Sequence, residues 1–312
     1  MSPESALFPN EGEQGDLGND DVVVICTMNR PNELGYLTEY LREKLGWCAA
    51  ILIVDASTEK AAIDKIDGIV ASQKLRLIRT EPGLPGQRNR ALEYAKRHFQ
   101  SGHIVHFLDD DVIPSTSYFA EATRLIQSAP KNCPRIVGSE DSLLKRSWSG
   151  SALRRIGLKG NAGRVSAFGL SSPPEADSSR NQWTPGHGFS FRPADFPDFL
   201  FDSTIDFFGE DIEATLRLGI EGNICLGKGS TLLHVPGNRQ GSGLMYDLRE
   251  LELRLSLARR FPEIVVRRLV LSAFFVEALL LFALPTLPFK IRAGLALSRF
   301  KLLSIHLPKS HT

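Results

Sequence analysis

Four short runs between amphipathic stretches set the fold of this chain: Asp21–Thr27, Ala50–Asp55, Leu75–Arg79 and Ile104–Leu108. The first, second and fourth are apolar almost throughout and too short for helices. That pattern marks strands buried on both faces. The spacing predicts helices between them, from Pro31 to about Lys44, from Glu59 to Val70, and from a Gly83–Arg90 loop to about Gln100. Pro31 suits a first helical turn, with Asn29 or Asn32 near its cap. Strands alternating with helices imply a mostly parallel sheet covered on both sides. Ligands of such sheets bind beyond the carboxyl ends of the strands.

Three groups fall at that edge: Asp55, the Gly83–Arg90 loop, and the triplet Asp109-Asp110-Asp111. If the triplet is extended, Asp109 and Asp111 share one face and Asp110 takes the other. Neighbouring carboxylates repel each other unless a cation lies between them. Oxygen ligands of this kind suit Mg2+ or Mn2+, ions that commonly bridge to substrate phosphates. The plain alternative is an acidic turn closing a strand.

A length of 312 residues fits one large domain or two smaller ones. The formal net charge of +1 favours no polyanionic partner, so nucleic acid is not indicated. Cys26, Cys48, Cys133 and Cys225 lack metal-ligand or redox spacing and fit a cytoplasmic location. Residues 1–20 are acidic, contain no Lys or Arg and carry no apolar core. They read as a disordered leader and not as a secretory signal.

The second half is less regular. Arg135–Gly138 reads as a strand, residues 140–182 as a long excursion, and Trp183–Arg192 as a turn running into a strand. Asp206–Glu213 opens a helix to about Leu218, with Glu210 and Asp211 at its start; a strand or two follow, through His234. Gly222–Lys228 imitates a phosphate-binding loop. Gly229 stands where that loop needs Ser or Thr, and the stretch follows a helix, so it reads as a turn and short strand.

The order of motifs is Thr27-Met28-Asn29-Arg30, Ile53-Val54-Asp55, Gly86-Gln87-Arg88-Asn89, Leu108-Asp109-Asp110-Asp111, Gly188-Phe189-Ser190-Phe191-Arg192, Gly209-Glu210-Asp211 and His234-Val235-Pro236. Over residues 20 to 240 this order resembles the GT-A glycosyltransferases of family 2, inverting enzymes that use nucleotide-diphosphate sugars. The resemblance implies a Rossmann-like α/β fold, with a mixed, mostly parallel sheet flanked by helices. It places Thr27, Arg30 and Asp55 around the nucleoside, where the acceptor-only carboxylate of Asp55 suits a base N–H. An Asx-type turn is the alternative for Asp55. Arg88, near a helix start, suits a carboxylate or a diphosphate.

Asp109 is implied toward the ribose or donor sugar and Asp111 as metal ligand. Asp110 shares either task, and His234 completes the metal shell or is structural. The metal neutralises and orients the diphosphate and stabilises the leaving group. Asp211 is implied as the general base that takes the proton of the acceptor hydroxyl. Glu210, Gly188 and Phe189 then lie on the acceptor side. Acids at a helix start are also ordinary capping chemistry. The helix start lowers the pKa of Asp211, whereas a nearby diphosphate raises it. The Gly188–Arg192 motif departs from the commoner family form, which leaves the sugar open.

The character changes beyond residue 240. Leu244–Arg260 reads as an amphipathic helix and Leu269–Pro288 is almost wholly apolar, with Glu277 and Pro285 arguing against a plain span. Arg259, Arg260, Arg267 and Arg268 precede it, and Lys290, Arg292, Arg299, Lys301 and Lys309 follow it. Positive charge on both flanks does not fit one crossing. Together with the basic, amphipathic Phe289–Leu307, it favours peripheral or monotopic attachment to the cytoplasmic membrane face. The expectation is a metal-dependent transferase of hexosyl type, moving a sugar from a nucleotide-diphosphate donor to a lipid-linked or glycan acceptor. A sugar-nucleotide nucleotidyltransferase would want a Gly-rich basic loop after the first strand, and a non-catalytic homologue would have lost the acids.

Overall fold

The computed structural model describes residues 21–47, 49–99, 102–141, 163–174, 181–205, 209–221, 223–234, 243–283 and 289–306. The acidic leader, Cys48, Val235-Pro236 and most of the 140–182 excursion lie outside them. Strands β1 (Val22–Thr27), β2 (Ala50–Asp55), β3 (Arg76–Arg79), β4 (Val105–Asp109), β5 (Val112–Pro114), β6 (Arg135–Asp141), β7 (Gly188–Phe191) and β8 (Asn223–His234) form one sheet. Its order is β3-β2-β1-β4-β7-β6-β8-β5. The β3-β2-β1-β4 half is parallel, as is β6 with β8, while β7 and β5 run antiparallel to their neighbours. This is the expected mixed, mostly parallel sheet. Residues 223–234 are a single strand, which disposes of the phosphate-loop imitation.

Helices α1 (Pro31–Glu39), α2 (Lys60–Gln73), α3 (Leu84–His98), α4 (Tyr118–Gln127) and α5 (Glu210–Glu221) accompany the sheet, and a π-helical stretch, Tyr40–Lys44, continues α1. Neither Asn29 nor Asn32 caps α1; the cap position is Arg30, and Asn29 Oδ1 accepts from the backbone N–H groups of Thr58 and Glu59 instead. The strand period sorts the core into two layers. Val22, Val24 and Cys26 face a cluster with Ala91, Phe107, Phe189 and Phe201. Val23 and Ile25 face one with Leu34, Leu37, Trp47 and Phe119.

Register makes the carboxyl ends flush. Thr27 pairs with Asp55, Cys26 with Asp109, and Val112 with His234. Four chemistry-bearing segments therefore meet at one edge.

The chain forms two compact units: Met1–Lys145 with Pro174–Gly237, and Arg146–Pro173 with Asn238–Thr312. A single cut near residue 240, as the sequence suggested, is therefore corrected. The reason is visible in backbone bonds that no local pattern reveals: Ala167 O accepts from Val266 N at 2.9 Å, and Phe168 O from Arg254 Nε at 2.9 Å. The second unit contains α6 (Gly243–Arg260), α7 (Arg267–Ala283) and α8 (Phe289–His306). Among the described residues no helix is long and apolar enough to cross a membrane.

Candidate active site

Three consecutive side chains of α3 assemble the site. Gln87 Nε2 donates to Thr27 O (2.9 Å) and Val54 O (2.8 Å), which fixes α3 on the ends of β1 and β2. Arg88 is buried; Nη1 donates to Glu210 Oε1 (3.0 Å) and Nη2 to Gly186 O (2.9 Å) and, more weakly, to Asp109 Oδ1 (3.4 Å). Its guanidinium carbon lies 5.6 Å from the Phe189 ring centre and 5.3 Å from that of Phe201. Asn89 exchanges two hydrogen bonds with the backbone of Phe201. Of the two partners the sequence offered Arg88, the structure gives it carboxylates.

The acidic triplet is not extended. β4 ends at Asp109, Asp110 and Asp111 make a turn, and β5 starts at Val112. Strict alternation is therefore corrected. The chain must leave the middle of the sheet for its far edge, and a strand cannot make that crossing. Asp109 turns to Arg88, whereas Asp110 and Asp111 share Arg30 Nη1, at 2.9 and 3.0 Å. Thr27 Oγ1 also donates to Asp110 Oδ2 (2.7 Å). Desolvation pushes Asp110 up to about 7 against the pull of Thr27 and Arg30. It pushes Asp109 up to about 6 against Arg88, with Asp111 adding to the rise. For Asp111 desolvation also acts upward, but His234 and Arg30 outweigh it and hold the carboxyl below its ordinary value.

His234 Nε2 lies 3.3 Å from Asp111 Oδ1, brought there by the Val112–His234 pair of β5 and β8. The His187 ring stacks against it, centres 5.5 Å apart. Among the described residues no three or more His, Cys, Asp or Glu side chains close into a metal cage. The expected set Asp109, Asp111 and His234 is thus corrected, because Asp109 is committed to Arg88. The remaining pair, one carboxylate and one imidazole, still fits an ion that takes its other ligands from phosphate oxygens and water, as Mg2+ and Mn2+ do.

On the opposite side, α5 begins with Glu210 and Asp211. Asp211 Oδ2 accepts from Gly186 N (2.8 Å) and Oδ1 from its neighbour Ile212 N (2.8 Å). Desolvation raises the Asp211 pKa although Arg88 and these N–H groups pull it down. Desolvation and the adjacent Asp211 push Glu210 up to about 8, with Arg88 opposing.

Gly186 was not singled out from the sequence. A Cβ there would lie 2.9 Å from Arg88 Nη2 and 3.0 Å from Asp211 Cβ, so only glycine lets the two groups share this backbone. A Gly-rich turn before a strand was the available signal.

Two expectations change. Phe189 is buried and stacks on Phe107 (5.1 Å), and a Cβ on Gly188 would strike Leu232, so both pack inside the sheet and offer no acceptor surface. Glu210 is likewise buried on Arg88. The reason is that β7 is an inner strand, between β4 and β6. Asp55 is buried and adopts the Asx turn, Oδ1 accepting from Ser57 N at 2.9 Å, with Arg79 paired to its other oxygen.

Residues 22–173 match the family model "Glycosyl transferase family 2". This region belongs to the family 2 glycosyltransferases. The match takes in Thr27, Asp55, Arg88 and the Asp triplet; Glu210, Asp211 and His234 lie past its end. No curated protein matches the chain in sequence. Two solved structures are similar in fold. One is the mannosyltransferase PcManGT from Pyrobaculum calidifontis in complex with GDP-Man and Mn2+, at 13% identity and a TM-score of 0.52, with 93% of this chain and 76% of that chain covered. The other is GalNAc-T7 with UDP, GalNAc and Mn2+, at 14% identity and a TM-score of 0.55, with 92% of this chain covered. This chain spans just over half of that second protein, 56%. The family 2 region and these likenesses give the GT-A fold.

Proposed function

We propose that this protein is a metal-dependent inverting glycosyltransferase, moving a sugar from a nucleotide-diphosphate donor to an acceptor hydroxyl. The observation that carries the reading is Arg88. One buried guanidinium joins Asp109, at the donor edge of the sheet, to the start of α5, where Asp211 sits. A single displacement needs a stabilised leaving group on one side of the anomeric carbon and a base on the other. The acidic turn and the α5 start supply those two sides.

Asp211 takes the proton from the attacking hydroxyl, while Gly186 N–H and Ile212 N–H orient its carboxylate. Its raised pKa makes it a stronger base than an ordinary carboxylate. Arg88 positions both sides and does not itself touch the donor. Asp111 and His234 would hold Mg2+ or Mn2+, which when bound would neutralise the diphosphate. Thr27 and Arg30 line the nucleoside side, and Arg30, about a third exposed, can turn from the acids to a diphosphate. The acceptor class we favour is a glycan or a lipid-linked sugar.

Incubation with a panel of nucleotide sugars, with and without Mn2+, tests the reading. Metal-dependent release of nucleoside diphosphate with a glycosylated acceptor supports it. Pyrophosphate-dependent exchange would assign a nucleotidyltransferase instead.

A further inference from the structure

The only acid of α7 is turned away from its outer face. Glu277 Oε1 accepts from Arg254 Nη1 (2.9 Å) and Oε2 from Arg299 Nε (3.0 Å), joining α6, α7 and α8. Arg254 is itself buried, over the Phe274 ring at 4.8 Å. Val270, Phe274 and Ala278, four residues apart, form the buried side of α7. The opposite side carries Leu269, Phe275, Val276 and Leu279, 37–52% exposed. Phe275 meets Phe300 of α8 edge to face (6.4 Å), and Leu297, one turn before Phe300, is 63% exposed. The two helices thus present one apolar face. Arg268 stands exposed at the start of α7 on the arc of Phe275 and Leu279, and exposed Lys301 follows Phe300 on α8.

We propose that this two-helix face lies flat on an anionic lipid bilayer. The apolar side chains enter the acyl boundary and Arg268 and Lys301 meet the phosphates. Charge selects this occupant. A second copy docked face to face would add its own basic residues to an interface where α7 and α8 offer no unpaired acid to meet them. An anionic surface complements them. Length selects the orientation: the 17 residues of α7 reach about 25 Å, short of the roughly 30 Å hydrocarbon core. The internal pairing of Glu277 is what leaves the outer face without an acid. This inference stands apart from the reading of the active site.

The full chain is sedimented with phosphatidylcholine vesicles with and without phosphatidylglycerol. The expected result is binding to the anionic vesicles alone, weakened by salt. V276S/L279S and R268Q/K301Q, all at exposed positions, should each bind at least about tenfold more weakly while keeping the wild-type circular dichroism spectrum. Wild-type binding by both variants overturns the proposal, as does equal binding to phosphatidylcholine alone. A wild-type dimer that V276S/L279S dissociates, with no vesicle binding, assigns the face to a second copy and also overturns it.

Discussion

Arg88 Nη1 donates to Glu210 Oε1 at 3.0 Å, between two side chains that solvent scarcely reaches. The residues are 122 positions apart in sequence, so this bond ties α3 to the start of α5. Removing one partner of a buried pair leaves the other charge stranded, at a cost of about 3–5 kcal/mol. Arg88→Met should therefore lower the unfolding free energy measured by urea titration by up to that amount, the loss being smallest where Glu210 protonates, and R88M/E210M should recover much of it. An R88M protein as stable as wild type would remove Arg88 as the link.

Asp211→Asn tests the base. The amide keeps the shape of the side chain but cannot take a proton. Transfer should fall by about 10²–10⁴, with donor binding retained. The measurement is single-turnover transfer alongside donor titration. Near-normal turnover takes Asp211 out of the mechanism.

The α5 acids also set a pH dependence. Asp211 is raised, so its base form accumulates only above the ordinary carboxylate range, and kcat/KM should rise with pH through that displaced value. Glu210→Gln removes the carboxyl that competes with Asp211 for Arg88. The rising limb should then move to lower pH. For stability the sign is opposite. The fold favours protonated Glu210, so its contribution is full below 4.5 and is lost as pH climbs toward about 8. The metal-free protein should lose urea resistance over that window, and E210Q should flatten the loss.

Much of the sheet was legible because β1, β2 and β4 are buried on both faces, and continuous apolar runs admit little else. The acids at their ends followed from the same reading. The turn inside Asp109–Asp111 did not, because three identical side chains carry no period, and the break is set by β5 pairing with β8 more than a hundred positions on. Phe189 misled for a related reason. The resemblance put it on the acceptor side, yet β7 fills a place between β4 and β6 that only tertiary structure assigns. The partners of Arg88 were open for the same cause: a guanidinium reads alike beside a carboxylate and a diphosphate.

Arg30 provides the last prediction. Its Nη1 is held by Asp110 Oδ1 and Asp111 Oδ2, so a protein cation already offsets the charge that a metal ion would neutralise. The two cations compete for Asp111. Arg30→Gln should thus tighten the binding of Mn2+ alone, measured by calorimetry without nucleotide, by several-fold. That is the scale of about 1 kcal/mol for a partly exposed ion pair. Because R30Q also lacks a cation for the diphosphate, donor binding should weaken in the same protein. His234→Ala should weaken Mn2+ in both backgrounds, since it removes a ligand and no competitor. If neither substitution alters Mn2+ affinity, the ion sits elsewhere, and Asp111 with His234 is a structural pair.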